Sequence, residues 1–135
     1  MPRETMATVR RSTAARTSLN DERAWYQRAV DTYLDACYRA GSRATTSEFA
    51  ERFSLRPPSL TRIFRRLFHQ TPLQYFRVRQ LQHAVSLLEK STKTIDEIAV
   101  ICAFGTRATL HRLFLNQFGI APEEYRRART GTGKK

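Results

Sequence analysis

The stretch TIDEIAVICAFGTRATLHRLFLNQFGIAPEEY, residues 94–125, decides the fold because its pattern occurs twice in the chain. A shift of 50 positions, as from Leu60 to Leu110, brings seven pairs of identical residues into register up to Arg127. The pairs are Leu60 and Leu110, Arg62 and Arg112, Phe64 and Phe114, Phe68 and Phe118, Pro72 and Pro122, Tyr75 and Tyr125, and Arg77 and Arg127. A pattern repeated at a fixed spacing predicts two copies of one supersecondary unit.

Each copy opens with the signature of a helix N-terminus. Thr94 and Glu97 have the spacing of a capping box, in which the Thr hydroxyl and the Glu carboxylate each accept a hydrogen bond from the other residue's backbone N–H. Thr45 and Glu48 repeat it at a shift of 49. The spacing predicts a short helix after each cap, at Ser47–Phe53 and at Ile95–Cys102. A tight turn and a longer helix follow in both copies, which is the arrangement of a helix-turn-helix.

The longer helix of each copy carries an apolar stripe and an arginine beside it. Leu60, Phe64 and Phe68 are spaced by four, as are their counterparts fifty positions later, so each set shares one face that we expect to be buried. Arg62 and Arg112 lie off that face, where an arginine is able to bind the O6 and N7 atoms of guanine. The alternative is an ordinary solvated arginine. Because an arginine occurs at the same place in both copies, a role in binding DNA is favoured over this alternative.

The order and spacing of these residues resemble a known family over about 80 residues, from Thr45 to Arg127. The matching residues are Phe49-Ala50-Glu51-Arg52-Phe53, Leu60 to Phe64, Ile98-Ala99, Phe104, Leu110-His111-Arg112-Leu113-Phe114, Phe118-Gly119 and Pro122-Glu123-Glu124-Tyr125-Arg126. They resemble the DNA-binding domain of the AraC/XylS family of bacterial transcription regulators. The resemblance implies an all-α fold of about seven helices, with two helix-turn-helix subdomains joined by a linker helix.

The chain departs from that family at four positions. Glycine is usual where this chain has Ser54, His69 and Ala103, at turns and at a helix C-terminus, so these residues must tolerate or shift the local backbone angles. An arginine usual in the linker helix is Gln80 here.

The resemblance also divides the chain into segments. We expect a disordered basic arm in residues 1–19, the first helix-turn-helix subdomain in 20–72, the linker helix in 73–91, the second subdomain in 92–128 and a frayed basic tail in 129–135. A helix from Asn20 to Ala40, with Trp25 in the core, is expected to brace the first unit. The linker helix would space the two units about 34 Å apart, one turn of DNA. Since the units differ in sequence, we expect a monomer to bind an asymmetric site.

The charge of the chain points to a polyanionic partner. Its 135 residues contain 24 Lys and Arg against 12 Asp and Glu, a formal net charge of +12. Nucleic acid is favoured over a membrane because no long apolar run occurs. No acidic residue lies between Glu51 and Glu89 or between Glu97 and Glu123. Because arginines are denser in the first of these windows, we expect the first unit to attract phosphate more strongly.

Candidate contacts follow from the position of each residue on the longer helices. The N-terminal part of such a helix faces base edges, and the residues around it lie nearer phosphate. The candidate base readers are Pro58, Thr61 and Arg62 in the first unit and Arg107, Ala108, His111 and Arg112 in the second. The candidate phosphate contacts are Thr46, Arg56, Ser59, Arg65, Arg66, Thr106 and Asn116. His111 has two interpretations, a donor to base or phosphate and an exposed imidazole without a role.

The cysteines and the N-terminus bear on cofactors and location. Cys37 and Cys102 are too few and too far apart for a disulfide framework or a zinc site, so we expect core residues, no metal and no cofactor. One DNA-repair methyltransferase resembles this domain in part, but its chemistry needs an activated cysteine and a cysteine-bound zinc. We therefore do not expect an enzyme. The start of the chain lacks a signal-peptide core, which predicts a cytoplasmic protein.

The function predicted from the residues and the resemblance is a sequence-specific, double-stranded DNA-binding transcription regulator. The chain resembles the short stand-alone activators of the family, which act partly through contact with RNA polymerase, and only about 40 residues precede the first unit. A fragment of a longer regulator is an alternative within this class. A nonspecific or architectural nucleic-acid-binding protein, driven by charge alone, is the alternative outside it.

Overall fold

The computed structural model describes the backbone of residues 15–134 and the side chains of residues 18–129. The described residues form seven helices and no strand, which confirms the predicted all-α fold. The helices are α1 (Ala15–Ala40), α2 (Thr46–Arg52), α3 (Pro57–Phe68), α4 (Pro72–Lys90), α5 (Ile95–Ile101), α6 (Arg107–Phe118) and α7 (Pro122–Lys134). Packing divides them into two units: the first contains residues up to 34 and residues 44–76, and the second contains residues 35–43 and 77 onwards.

Helix α1 begins at Ala15, earlier than the predicted start at Asn20. Ser18 and Glu22, four residues apart on one face, are both buried. Because the buried positions of this first part are polar, no apolar period marked it as helical. The expectation of a disordered arm is therefore wrong for residues 15–19, and its remainder, residues 1–14, lies outside the described residues.

Aromatic side chains fill the core of the first unit. Tyr33 and Phe76 pack on Phe49 with ring centroids 5.3 and 5.4 Å away, and Tyr26 packs on Phe64 at 5.6 Å. Such tilted and edge-to-face pairs stabilise a core beyond the area they bury. Trp25, which we expected in this core, is only half-buried at its edge.

A tyrosine completes the first predicted capping box. The Thr45 hydroxyl accepts from the Glu48 backbone N–H at 3.1 Å, as predicted. The Thr45 backbone N–H donates to the hydroxyl of Tyr33 at 2.9 Å, and that hydroxyl donates to the Glu48 carboxylate at 2.7 Å. In the second unit the predicted box between Thr94 and Glu97 is complete. The two caps therefore differ because only the first has a tyrosine of α1 beside it.

The core of the second unit is mostly aliphatic. Leu81 and Leu88 of α4 pack with Ile98 of α5 and with Leu110 and Phe114 of α6. Phe118, expected on the same buried face, is 40% exposed. It lies at the last turn of α6, where its ring contacts Phe114 and Tyr125.

The turns contain the residues that replace glycine. Ser54, His69 and Ala103 have φ angles of 57°, 60° and 65°, the left-handed region that favours glycine. Gln80 is buried and donates to the carbonyl oxygens of Cys102 and Ala103 at 2.8 and 3.2 Å. It therefore holds the turn between α5 and α6 in place.

Arg126 of α7 binds the C-terminal end of α4. Its guanidinium donates to four backbone carbonyls, those of Leu87, Leu88, Ser91 and Lys93, at 2.6 to 3.3 Å. Leu87 and Leu88 belong to the last turn of α4, which ends at Lys90, and Ser91 and Lys93 follow it. Helix α7 continues to Lys134, whereas a tail was expected from residue 129. Of the helices within residues 15–134, none combines the length and the apolar character that a membrane span requires.

Candidate nucleic-acid interface

The second helix of each helix-turn-helix has one buried side and one accessible side. In α3, Leu60 and Phe64 are completely buried while Arg62 is exposed. In α6, Leu110 and Phe114 are completely buried while Arg112 is exposed. Each unit therefore presents an arginine at the same position of its second helix, backed by the same two core residues.

The other candidate readers of the first unit are also accessible. Pro58 is exposed, Thr61 is half-buried, and the guanidinium of Arg62 donates to the hydroxyl of Ser59 at 3.4 Å. These residues lie in the first two turns of α3, which begins at Pro57. A ligand that approaches this end of α3 would meet an arginine, two hydroxyl groups and an apolar proline ring.

The N-terminus of α3 is poor in backbone donors. Pro57 and Pro58 occupy its first two positions and have no N–H, and Arg56 makes no side-chain cap. An anion at this end would therefore rely on side chains, among which Arg56 and Arg65 are exposed. Thr46, another candidate phosphate contact, is the half-buried first residue of α2.

Helix α6 begins differently. The Thr106 hydroxyl accepts from the Thr109 backbone N–H at 3.2 Å. The N–H groups of Arg107 and Ala108, in the first turn, lack intrahelical partners and are able to bind an anion. Thr106 therefore already acts as a cap, and its backbone neighbours supply the donors that α3 lacks.

Arg66, a candidate phosphate contact, is bound within the first unit. Its two guanidinium nitrogens each donate to one carboxylate oxygen of Glu22 at 3.0 Å, and the Glu22 side chain is completely buried. This hydrogen bond raises the pKa of Arg66, although burial acts in the opposite direction. Nearby, the Arg23 side chain donates to the carbonyl of Leu67 at 3.1 Å. Arg66 therefore joins α1 to the C-terminal end of α3.

The four candidate readers of α6 fall into two lines. Ala108 and Arg112 are four residues apart on one exposed strip, which Asn116 extends. Arg107 and His111 form the other line, and both face Glu123 of α7. The Arg107 guanidinium donates to the Glu123 carboxylate, and His111 Nδ1 lies 4.0 Å from it.

Arg107 and Glu123 form a hydrogen-bonded ion pair, and each shifts the pKa of the other. Its hydrogen bond to Glu123 raises the pKa of Arg107, with a smaller contribution from the charge of Asp96. The Asp96 carboxylate lies 3.9 Å from Arg107. Partial burial acts to raise the pKa of Glu123, but the hydrogen bond and charge of Arg107 outweigh it and lower that pKa.

Two further arginines of the second unit were not among the candidates. Burial lowers the pKa of half-buried Arg77, and the like charges of Arg43 and Arg112 lower it further. A Cβ atom placed on Gly105, in the turn before α6, would lie 3.9 Å from Cδ of Arg43. Arg43, Arg77 and Arg112 therefore lie close enough to one another for their charges to interact, near the turn before α6. No local pattern could show this because Arg43 precedes the first unit in sequence.

Burial makes the Cys102 thiol unsuited to nucleophilic chemistry. Cys37 and Cys102 are free thiols and both are buried. Burial raises the pKa of Cys102 to about 12, so this thiol remains protonated at neutral pH. The thiolate is the nucleophile in cysteine chemistry. Cys102 therefore lacks the activation that alkyl transfer would need.

Comparison with known proteins places this geometry in a wider group. The pattern of the helix-turn-helix domain family matches residues 49–128. The chain is 34% identical over 90 residues to an HTH-type transcriptional regulator of Mycobacterium tuberculosis, an overlap that covers 67% of this chain and 35% of that protein. The chain therefore spans about a third of the length of this relative.

Two solved structures share the fold. The DNA-binding domain of the transcriptional factor AdpA, in complex with a target DNA, has a TM-score of 0.64 and 28% identity, covering 74% of this chain and 94% of that one. A transcriptional regulator of the AraC-type from Chromobacterium violaceum has a TM-score of 0.65 and 24% identity, covering 78% and 96%.

Proposed function

Because the chain belongs to the AraC-type helix-turn-helix family, we propose that it is a sequence-specific DNA-binding transcription regulator. Each unit places the N-terminal part of its second helix, α3 or α6, in the major groove of double-stranded DNA. The observation that carries the proposal is the paired arrangement of Arg62 and Arg112. Each is exposed on the outer side of a helix whose leucine and phenylalanine are completely buried.

The chemistry of the two arginines fits base recognition. A guanidinium donates two parallel hydrogen bonds to O6 and N7 of guanine, and each such pair discriminates against the wrong base by about 1–3 kcal/mol. Around Arg62, Pro58 offers an apolar contact for a thymine methyl group and Thr61 offers a hydroxyl. Around Arg112, Ala108 allows close approach to a base edge. The 28% identical domain of AdpA, bound to its target DNA, supports the same use of this fold.

Phosphate contacts orient the chain on DNA. In the first unit they come from the side chains of Arg56, Ser59 and Arg65, because the prolines remove backbone donors. In the second unit they come from the first turn of α6 and from Arg43. Such contacts carry little sequence information but most of the salt dependence of binding.

The two units are not identical, so the preferred site is asymmetric and one monomer is sufficient to occupy it. Contact with RNA polymerase is the route by which a bound regulator of this kind would activate transcription. As a partner of chromosomal DNA in a bacterium, the protein would act in the cytoplasm.

Selection from random double-stranded DNA, followed by footprinting of the selected sequence, tests the proposal. We expect protection of two segments about one helical turn apart and a preference of at least about a thousandfold over scrambled DNA of the same length and composition. The affinity for both DNAs should be measured across a range of salt concentrations.

The same measurement separates this function from nonspecific binding, which the net charge of +12 would by itself support. An architectural protein would bind the selected and scrambled DNAs alike and lose both in parallel as salt rises. That result would overturn the proposed function.

A further inference from the structure

Glu123 places a carboxylate among the candidate base readers of the second unit. It lies in the first turn of α7, directly after Pro122. Its carboxylate binds the guanidinium of Arg107 and lies 4.0 Å from Nδ1 of His111. Both residues belong to the first two turns of α6, the part of the helix that enters the groove in a helix-turn-helix.

All three side chains are accessible to a ligand. The exposed fractions are 49% for Arg107, 47% for His111 and 32% for Glu123. The ion pair is therefore part of the surface that would meet DNA, and it is not a buried structural contact. An exposed ion pair of this kind contributes little to stability.

The first unit has no counterpart of this carboxylate. The repeat relates position 123 to position 73, where the chain has Leu73, and relates Arg107 to Pro57. The acid and the arginine thus occur together in one copy of the repeat and are both missing from the other. The ion pair between them is therefore specific to the second copy.

A carboxylate at this place opposes general attraction to DNA. It repels phosphate and neutralises Arg107, which would otherwise bind any phosphate within reach. It also holds the long side chain of Arg107 in one direction through their hydrogen bond. Specificity rises when an interface weakens binding to the wrong partner more than to the right one.

We propose that Glu123 is a positioning residue that sets the sequence selectivity of the second unit by holding Arg107 away from arbitrary phosphates. The inference rests on the proposed function, since it concerns how the same helix chooses its DNA. Arg107 then contacts a base edge only from the orientation that Glu123 fixes.

The test is Glu123→Gln, with Glu124→Gln as its matched control. Both variants lose one negative charge in the same turn of α7, but Glu124 accepts from the Ala121 backbone N–H at 3.3 Å and is not bonded to the readers. We expect Glu123→Gln to gain affinity for scrambled DNA, with a salt dependence steeper by about 0.9 in log–log slope. Its preference for the selected site should fall by about fivefold or more. Glu124→Gln should keep the preference of the unmodified protein.

The double variant Arg107→Ala with Glu123→Gln tests whether Glu123 acts through Arg107. Without Arg107, the substitution of Glu123 should no longer steepen the salt dependence or lower the preference. Thermal unfolding of each variant establishes that the fold is retained, and Arg107→Gln removes the same ion pair from the other side if Glu123→Gln unfolds.

Equal changes in the Glu123 and Glu124 variants would overturn the inference, because they would reflect net charge alone. A persistent effect of Glu123→Gln in the absence of Arg107 would overturn it as well. Failure of the proposed function would give a different result, because the unmodified protein itself would then show no preference for any DNA sequence.

Discussion

Arg66 donates two hydrogen bonds of 3.0 Å to the two carboxylate oxygens of Glu22, whose side chain is completely buried. A carboxylate removed from water in this way depends on hydrogen bonds and opposite charge to offset its lost hydration. The arginine that the sequence offered as a phosphate contact therefore stabilises the first unit, by joining α1 to the last turn of α3.

Substitution of Arg66 by alanine should destabilise the protein. Arg66→Ala removes two hydrogen bonds and the opposite charge from the buried Glu22 carboxylate, so the free energy of unfolding should fall by about 3 kcal/mol. The neighbouring Arg65 is exposed, and Arg65→Ala should change stability by less than about 0.5 kcal/mol. Urea unfolding of both variants provides the measurement.

The DNA affinity of the same two variants separates structure from recognition. Arg65→Ala should reduce the salt dependence of binding by about 0.9 in log–log slope, as expected for one lost phosphate contact. A normal stability of Arg66→Ala combined with such a reduced slope would instead assign the phosphate contact to Arg66.

Arg126 should stabilise the second unit about as strongly as Arg66 stabilises the first. Its guanidinium donates to four carbonyls at the end of α4, and hydrogen bonds from a charged group contribute about 1.5–3 kcal/mol each without being additive. Arg126→Ala should therefore lower the free energy of unfolding by about 3 kcal/mol or more. Arg127→Ala, at an exposed position, is the control and should be nearly neutral. Similar unfolding curves for the two variants would contradict this role of Arg126.

The cap of α5 predicts a pH dependence. The backbone N–H of Thr94 donates to the Glu97 carboxylate and lowers the pKa of Glu97 below its ordinary value of 4.5. A group whose pKa is lower in the folded state stabilises the fold while it is ionised. Its contribution is therefore complete above pH 4.5 and is lost as the pH falls through the lower, folded value.

Glu97→Gln tests this dependence because glutamine keeps the acceptor oxygen and does not titrate. The variant should have a flatter dependence of unfolding free energy on pH below 4.5 than the unmodified protein. Glu97→Ala, which removes the acceptor as well, should also be less stable at neutral pH. Urea unfolding at a series of pH values measures the stability of the unmodified protein and of both variants. If the unfolding free energies of the glutamine variant and the unmodified protein changed with pH in the same way, the prediction would be contradicted.

The repeat allowed most of the fold to be predicted from sequence. Local signals of capping and period predicted α2 and α5 to within one residue at each end, and they indicated a longer helix after each, where α3 and α6 lie. They failed where the buried face is polar, as at Ser18 and Glu22, because hydrophobic period is the main sign of a helix. The glycine positions, inferred from the resemblance, do have left-handed backbone angles although other residues occupy them.

The candidate site was harder to predict because its charges come together from distant parts of the chain. The windows without acidic residues suggested unopposed arginines. In the folded chain, acids from outside the windows pair with arginines inside them, Glu22 with Arg66 and Glu123 with Arg107. Side-chain partners separated by 44 or 16 positions leave no local pattern.

Arg43 should contribute to DNA binding although no pattern in the sequence indicated it. It lies against the turn before α6. The charges of Arg43 and Arg112 both lower the pKa of Arg77. Arg43→Ala should reduce the log–log salt slope by about 0.9 without changing the selected sequence. Arg39→Ala, also exposed and in the last turn of α1, is the control for net charge. An equal effect of both variants would leave Arg43 without a specific contact.

The two repeated arginines should affect specificity more than stability. Arg62→Ala and Arg112→Ala should each cost about 1–3 kcal/mol in binding to the selected site and relax the choice of base at one position. Because both side chains are exposed, thermal unfolding should hardly change. Repeating the selection from random DNA with each variant should show one relaxed base pair, in a different segment of the footprint for each. If binding to scrambled DNA weakens as much as binding to the selected site, both arginines contact phosphate only, and base recognition must lie elsewhere on α3 and α6.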